Sequence, residues 1–147
     1  MIARGLLVFL VTILTACAPA GIWVGADVAP RNLDALLEQN RIGPGENIKV
    51  VRVLRTEHVE HLLVQVRDRE PLHYHADSDI TVLMRHGKGV IRSADRDTPV
   101  RAGDIVHIPR GVAHAYINDG PDAGVAFVIM APPPGPADRV LVGPNQP

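Results

Sequence analysis

Seven histidines stand in a sequence of 147 residues, and three of them sit where chemistry is easiest to build. His73 and His75 are two apart in residues 71–79 (PLHYHADSD), with Asp77 and Asp79 close behind. In an extended chain residues i and i+2 project to one face, so both imidazoles point the same way, as two ligands of one ion must. His114 lies in a second stretch, residues 103–118 (GDIVHIPRGVAHAYIN). Imidazole nitrogens combined with a carboxylate oxygen suit one divalent transition metal, and Fe, Mn, Zn, Ni and Cu all accept such a mixed set.

The second stretch resembles the second motif of the cupin family: Gly, five residues, Pro, one residue, Gly, two residues, His, three residues, Asn. Gly103, Pro109, Gly111, His114 and Asn118 occupy those positions. The first stretch is similar to the first cupin motif: Gly, five residues, His-x-His, three or four residues, Glu, six residues, Gly. His73, His75 and Gly87 fall in the matching places. Two departures stand out. Arg67 occupies the place of the opening Gly, and no Glu follows His75. Asp79 is the nearest acid at the three-residue spacing, but seven residues then precede Gly87, and Asp77 competes because it shares the parity of His75. The resemblance covers residues 45–131. It implies a metal held by His73, His75, His114 and Asp79 inside a small jelly-roll β-barrel, commonly paired as a homodimer.

The elements that must position these residues are short strands. Residues 48–54 (IKVVRVL) are β-branched, and Leu62, Val64 and Val66 alternate with Leu63, Gln65 and Arg67 in period two. Further strand patterns follow at 73–75, 80–84, 89–92, 104–108, 112–117 and 125–130, with turn residues at 86–89, 94–97, 102–103, 109–111 and 119–121. About eight short strands at this spacing predict an all-β fold, a sandwich or barrel of antiparallel strands. One short N-terminal helix is expected over residues 32–40, with Asn32 as N-cap and Leu33, Leu36 and Leu37 on one face. Residues 132–147 form a Pro-rich tail in which 140–142 read as an added edge strand. His58, His61 and His86 read as solvated, His107 as a candidate cavity residue, Tyr116 as a pocket or core residue, and Asn118 as a structural clamp on the Pro109–Gly111 turn.

The N-terminus reads as a processing signal rather than part of the fold. Arg4 precedes the apolar run GLLVFLVTIL, which is too short to span a membrane comfortably. Leu14-Thr15-Ala16-Cys17 resembles the bacterial lipobox, which implies cleavage before Cys17 and attachment of lipid to it. The expected organisation is a lipoprotein signal peptide over residues 1–16, a tether and short helix over 17–43, a cupin domain over 44–131, and the tail. Cys17 is the one cysteine, so there is no disulfide framework, and no free thiol once it is acylated. The expected location is the bacterial envelope, lipid-anchored and facing the periplasm, with Ala18 in place of Asp leaning toward the outer membrane.

Composition sets the remaining bounds. A chain 46% hydrophobic but only 3% aromatic must build its core from aliphatic residues, and 13 Gly with 13 Pro favour a turn-rich fold. A formal net charge of -1 without a basic run gives no nucleic-acid surface. The resemblance leaves two functions open. One is a metal-dependent enzyme of dioxygenase or isomerase type acting on a small molecule. The other is a non-catalytic lipoprotein that binds or senses a small ligand or a metal. No residue stands out as a separate general base.

Overall fold

The computed structural model describes residues 31–93 and 96–143. The chain divides into two units at residue 32, and the fold given below is that of the unit from Leu33 onward. Cys17 and the expected signal peptide lie outside the described residues.

Among the described residues a single short helix, α1 (Leu33–Gln39), precedes ten strands: β1 (Ile48–Arg55), β2 (Glu60–Val66), β3 (His73–His75), β4 (Asp79–His86), β5 (Lys88–Ser93), β6 (Arg96–Arg101), β7 (Ile105–Ile108), β8 (His114–Asn118), β9 (Gly124–Ala131) and β10 (Arg139–Leu141). They form two antiparallel five-stranded sheets, β1-β2-β9-β4-β7 and β10-β3-β8-β5-β6. Val66, Ile80, Met84, Val128 and Met130 from the first sheet meet Ile91, Val100 and Tyr116 from the second in one aliphatic core. The expected all-β jelly-roll is therefore the observed one. Period-two alternation explains the inward set: Val128 and Met130 face the core from β9, and Gly89 and Ile91 from β5.

One strand differs from the sequence-based expectations. Residues 96–101 form β6 although they contain Pro99, which has no N–H to give. β6 is an edge strand, so its outer side needs no ladder bond there. Gln65 is 2% exposed although it alternates with Val64 and Val66 along β2. The segment following α1 covers that face: Gln65 Nε2 donates to the Asn40 carbonyl (2.7 Å), and the Ile42 N–H donates to Gln65 Oε1 (3.0 Å). The leucine face of α1 is accordingly half-buried, with no fully buried residue. The edge strand expected at 140–142 forms one residue earlier, as β10, and it bears on function. Part of the tail pairs with β3 as β10, placing Arg139 opposite His75, Val140 opposite Tyr74 and Leu141 opposite His73.

Candidate metal centre

Two strands deliver the histidines. On β3 the i, i+2 geometry sends His73 and His75 inward while Tyr74 lies on the other face, and β8 places His114 directly opposite His73. The chain reaches β8 through a reversal at Pro109–Gly111. Gly111 has φ 77°, a left-handed conformation that side chains disfavour, and its N–H donates to the His75 carbonyl at 2.7 Å. That bond ties the His114 turn to the His73–His75 strand. All three histidines are buried, and their ring centroids lie 5.2 Å (73–75), 4.5 Å (73–114) and 5.7 Å (75–114) apart. One ring nitrogen from each lies within 4.8 Å of the others.

The hydrogen bonds fix which nitrogen that is able to be. His73 Nδ1 donates to the Pro71 carbonyl (2.8 Å), and His114 Nδ1 donates to the Val112 carbonyl (2.9 Å), each reaching back two residues. His75 Nδ1 donates to Asp138 Oδ2 (2.6 Å). Carbonyl and carboxylate oxygens only accept, so in each neutral ring the proton sits on Nδ1 and Nε2 keeps its lone pair. Partners of this kind orient and polarise metal-ligating histidines. Burial is the main reason that His73 is pushed down to about 3, with its two neighbouring histidines and Arg139 adding to the effect and the Pro71 bond opposing it. Burial likewise lowers His114. Neutral imidazoles are the form that binds an ion, so the residues present fit a divalent transition metal.

Asp79, the expected fourth ligand, does not join them. Its neighbour Ile80 is buried in the core, so strand alternation turns Asp79 outward. There its Oδ1 accepts from the Arg110 backbone N–H (3.0 Å) and Nε (3.2 Å), and its Oδ2 pairs with Nη2 (3.1 Å). The Arg110 guanidinium holds the carboxyl below its ordinary range. Asp77 fails for a different reason: the chain bends after His75, which breaks the parity, and Asp77 is exposed. The expected set of His73, His75, Asp79 and His114 thus reduces to three histidines among the described residues.

Three functional candidates are absent from the sequence-based expectations. Asp138 is 1% exposed, and its Oδ1 accepts the N–H groups of Asp77 (2.7 Å) and Ser78 (3.0 Å) while Oδ2 holds His75. Burial alone would raise its carboxyl, but those three bonds outweigh it and keep it below the ordinary value. Glu70 accepts the Tyr116 N–H (3.2 Å); burial raises its carboxyl, against opposing pulls from that bond, Arg139 and His75. Arg139 follows Asp138 on β10. The sequence signal for the pair is the strand pattern at 140–142, which gives no hint of the strand it joins.

The histidines, Glu70, Asp138 and Arg139 line one end of a cavity of about 340 Å³ between the sheets. The rest of its wall is aliphatic, including Val64, Val66, Met84, Ile91, Val128 and Met130. Tyr116 belongs to both the wall and the core, and its hydroxyl donates to the Lys88 carbonyl (2.9 Å). Asn118 is structural as expected, but it holds the turn that follows it and not the Pro109–Gly111 turn, donating to the carbonyls of Arg67 (2.9 Å), Gly120 (3.2 Å) and Asp122 (2.8 Å). His107 is exposed and borders a separate cavity of about 410 Å³ that shares His114.

Residues 61–130 match the model of the cupin domain. An uncharacterised protein of Aquifex aeolicus (strain VF5) is 31% identical over 106 residues, 72% of this chain and 87% of that one. The chain belongs to the cupin family. Among solved structures, a conserved Klebsiella pneumoniae protein with a double-stranded β-helix domain superposes on this cupin with a TM-score of 0.63 at 20% identity, covering 73% of this chain and 94% of that one. A Thermotoga maritima protein described as a predicted oxalate decarboxylase gives 0.54 at 17% identity, covering 58% and 81%. At these identities the two structures show the shared fold.

Proposed function

We propose that this cupin is a metal-dependent enzyme acting on a small molecule, of dioxygenase or isomerase type, and that it works at the bacterial envelope as an exported lipoprotein. One observation carries the catalytic reading: three buried imidazoles, each with Nδ1 held by an oxygen acceptor so that Nε2 is the nitrogen left to ligate, converge at the polar end of an otherwise aliphatic cavity. Three protein ligands with open positions are the arrangement of catalytic rather than structural metal sites. A bound divalent ion supplies Lewis acidity toward a substrate oxygen. His73, His75 and His114 hold the ion, Asp138 orients His75, and the aliphatic wall excludes water. Glu70, a carboxyl raised by burial on the same wall, is placed to exchange a proton with the substrate.

The test is turnover. Protein loaded separately with Fe(II), Mn(II), Zn(II), Ni(II) and Cu(II) is offered small carboxylic acids, polyols and phenols, with oxygen uptake and proton NMR as readouts. Turnover by the wild type and none by His114→Ala supports the enzyme. A wild type that binds metal and ligand but turns over nothing sinks it.

The alternative reading, a non-catalytic binding or sensing cupin, draws on one observation: the acid of the resembled motif is missing, and Asp79 is committed to Arg110. The lipid anchor at Cys17 rests on the lipobox resemblance; Cys17→Ser should release the protein from the membrane fraction. A homodimer, the common cupin arrangement, is checked by light scattering.

A further inference from the structure

Most arginines of this domain have a carboxylate. Arg52 and Arg55 pair with Glu60, Arg69 with Asp68, Arg85 with Asp34, Arg92 with Asp97 and Arg110 with Asp79. Arg139 has no ion pair among the described residues, yet it is the one Lys or Arg among those lining the histidine cavity. Its position is set by β-sheet register. Arg139 stands directly opposite His75 in the antiparallel β10–β3 pair, and directly opposed residues share a face of the sheet. The guanidinium therefore rises from the same face as the ligand histidines, at the edge of the sheet, where it remains exposed.

Nearby anions do not neutralise it by direct contact. Asp138 spends both oxygens on His75 Nδ1 and on the N–H groups of Asp77 and Ser78. Glu70 directs Oε2 at the Tyr116 N–H, and its carboxyl is raised foremost by burial, so it repels an incoming anion less than an exposed glutamate would. A planar guanidinium with no ion pair among the described residues matches a carboxylate two-pronged. Behind it lies a cavity of about 340 Å³ with an aliphatic wall, at the small end of the range for ligand pockets. An acid with a short hydrocarbon body satisfies both ends. A sugar or a phosphorylated metabolite would leave its polar groups against Val, Ile and Met.

We propose that Arg139 and the aliphatic interior form the binding site of a small hydrophobic carboxylic acid, with its carboxylate on Arg139 and its hydrocarbon body between the sheets. This rests on the reading above that the histidine cavity is the ligand site. It goes further by naming the class of ligand and the residue that selects it. The carbons next to the carboxylate then lie beside the histidines, which places the reacting position next to the acid group. Arg139 is here a specificity residue and not a metal ligand.

The probe pair is hexanoate and hexanamide, which share shape and differ in charge. Binding to the full-length chain is followed by ligand-observed NMR and calorimetry, first after metal removal and then after loading with Zn(II). Metal-free wild type should prefer hexanoate about tenfold or more, the scale of a charge-assisted pair over a neutral one. Arg139→Gln should abolish that preference while leaving hexanamide affinity and metal uptake unchanged, and Arg139→Lys should restore part of it. A preference that survives Arg139→Gln, or no saturable hexanoate binding by metal-free wild type, overturns the inference. Hexanoate binding that appears only with Zn(II) and ignores Arg139→Gln means that the ion holds the acid; the metal reading then stands and the Arg139 site falls. Arg139-dependent binding in a protein that takes up no metal upholds the Arg139 site and overturns the metal reading.

Discussion

Asp138→Asn isolates the role of the residue that the sequence motifs do not contain. The two side chains have the same shape, and the introduced amide can keep its oxygen on the N–H groups of Asp77 and Ser78, now held at 2.7 and 3.0 Å. Its nitrogen then faces His75 Nδ1 across the present 2.6 Å contact, donor against donor. The ring relieves this by moving its proton to Nε2, the nitrogen that has to ligate the ion. Turning the amide the other way instead sets its NH2 against two backbone N–H groups. Either outcome removes a well-prepared ligand. Loss of such an outer partner typically weakens metal binding 10–100-fold, or roughly 1.4–2.7 kcal/mol. The metal-free protein should lose about 1.5–3 kcal/mol, the range for a hydrogen bond to a charged group. Competition against a chromophoric chelator gives the affinity, and urea unfolding gives the stability. An affinity within twofold of wild type would refute the tautomer argument. Lost stability with unchanged affinity would reduce Asp138 to a brace for the tail.

Asp79→Asn should leave metal content unchanged, because its carboxylate serves Arg110, while slightly loosening the turn at Pro109; lost metal on elemental analysis would reinstate Asp79 as a ligand. The metal-free protein should lose stability as pH falls from about 6.5 toward 3. Over that window the unfolded chain binds a proton at position 73 and the native one, with His73 pushed down to about 3, does not. The slope approaches 1.4 kcal/mol per pH unit for each such histidine, and His114 shifts in the same direction. Urea titrations at several pH values check this, and a flat profile that His73→Asn does not alter would contradict it. Gly89→Ala should destabilise by about 1–3 kcal/mol, since a Cβ there meets the Ile117 carbonyl and lies 2.6 Å from Tyr116 Cε2; a Tm equal to wild type would contradict this close packing of β5 on β8.

The two histidine stretches are legible because their information is local. His73 and His75 share a face by strand geometry alone, and the Pro109–Gly111–His114 spacing encodes a reversal that the positive φ of Gly111 bears out. Period-two patterning marks most strands, and Val140 points to the added edge strand. What stays hidden depends on partners distant in sequence. Asp138 lies 63 residues from His75, and nothing in either segment announces that they meet. Asp79 misleads because motif spacing counts residues, whereas alternation from Ile80 decides which way the side chain points. The burial of Gln65 is likewise hidden, because the segment that covers it comes from before β1. Strand β6 is missed because Pro99 argues against a strand until its edge position is known.

The most direct measurement is elemental analysis of the full-length protein purified without chelator or a histidine tag, alongside His73→Ala, His75→Ala and His114→Ala. Three convergent Nε2 lone pairs predict close to one equivalent of a divalent transition metal in the wild type and its loss from each variant. A wild type that takes up no metal after each ion is added back would contradict the metal centre. So would a His114→Ala protein that keeps a full equivalent.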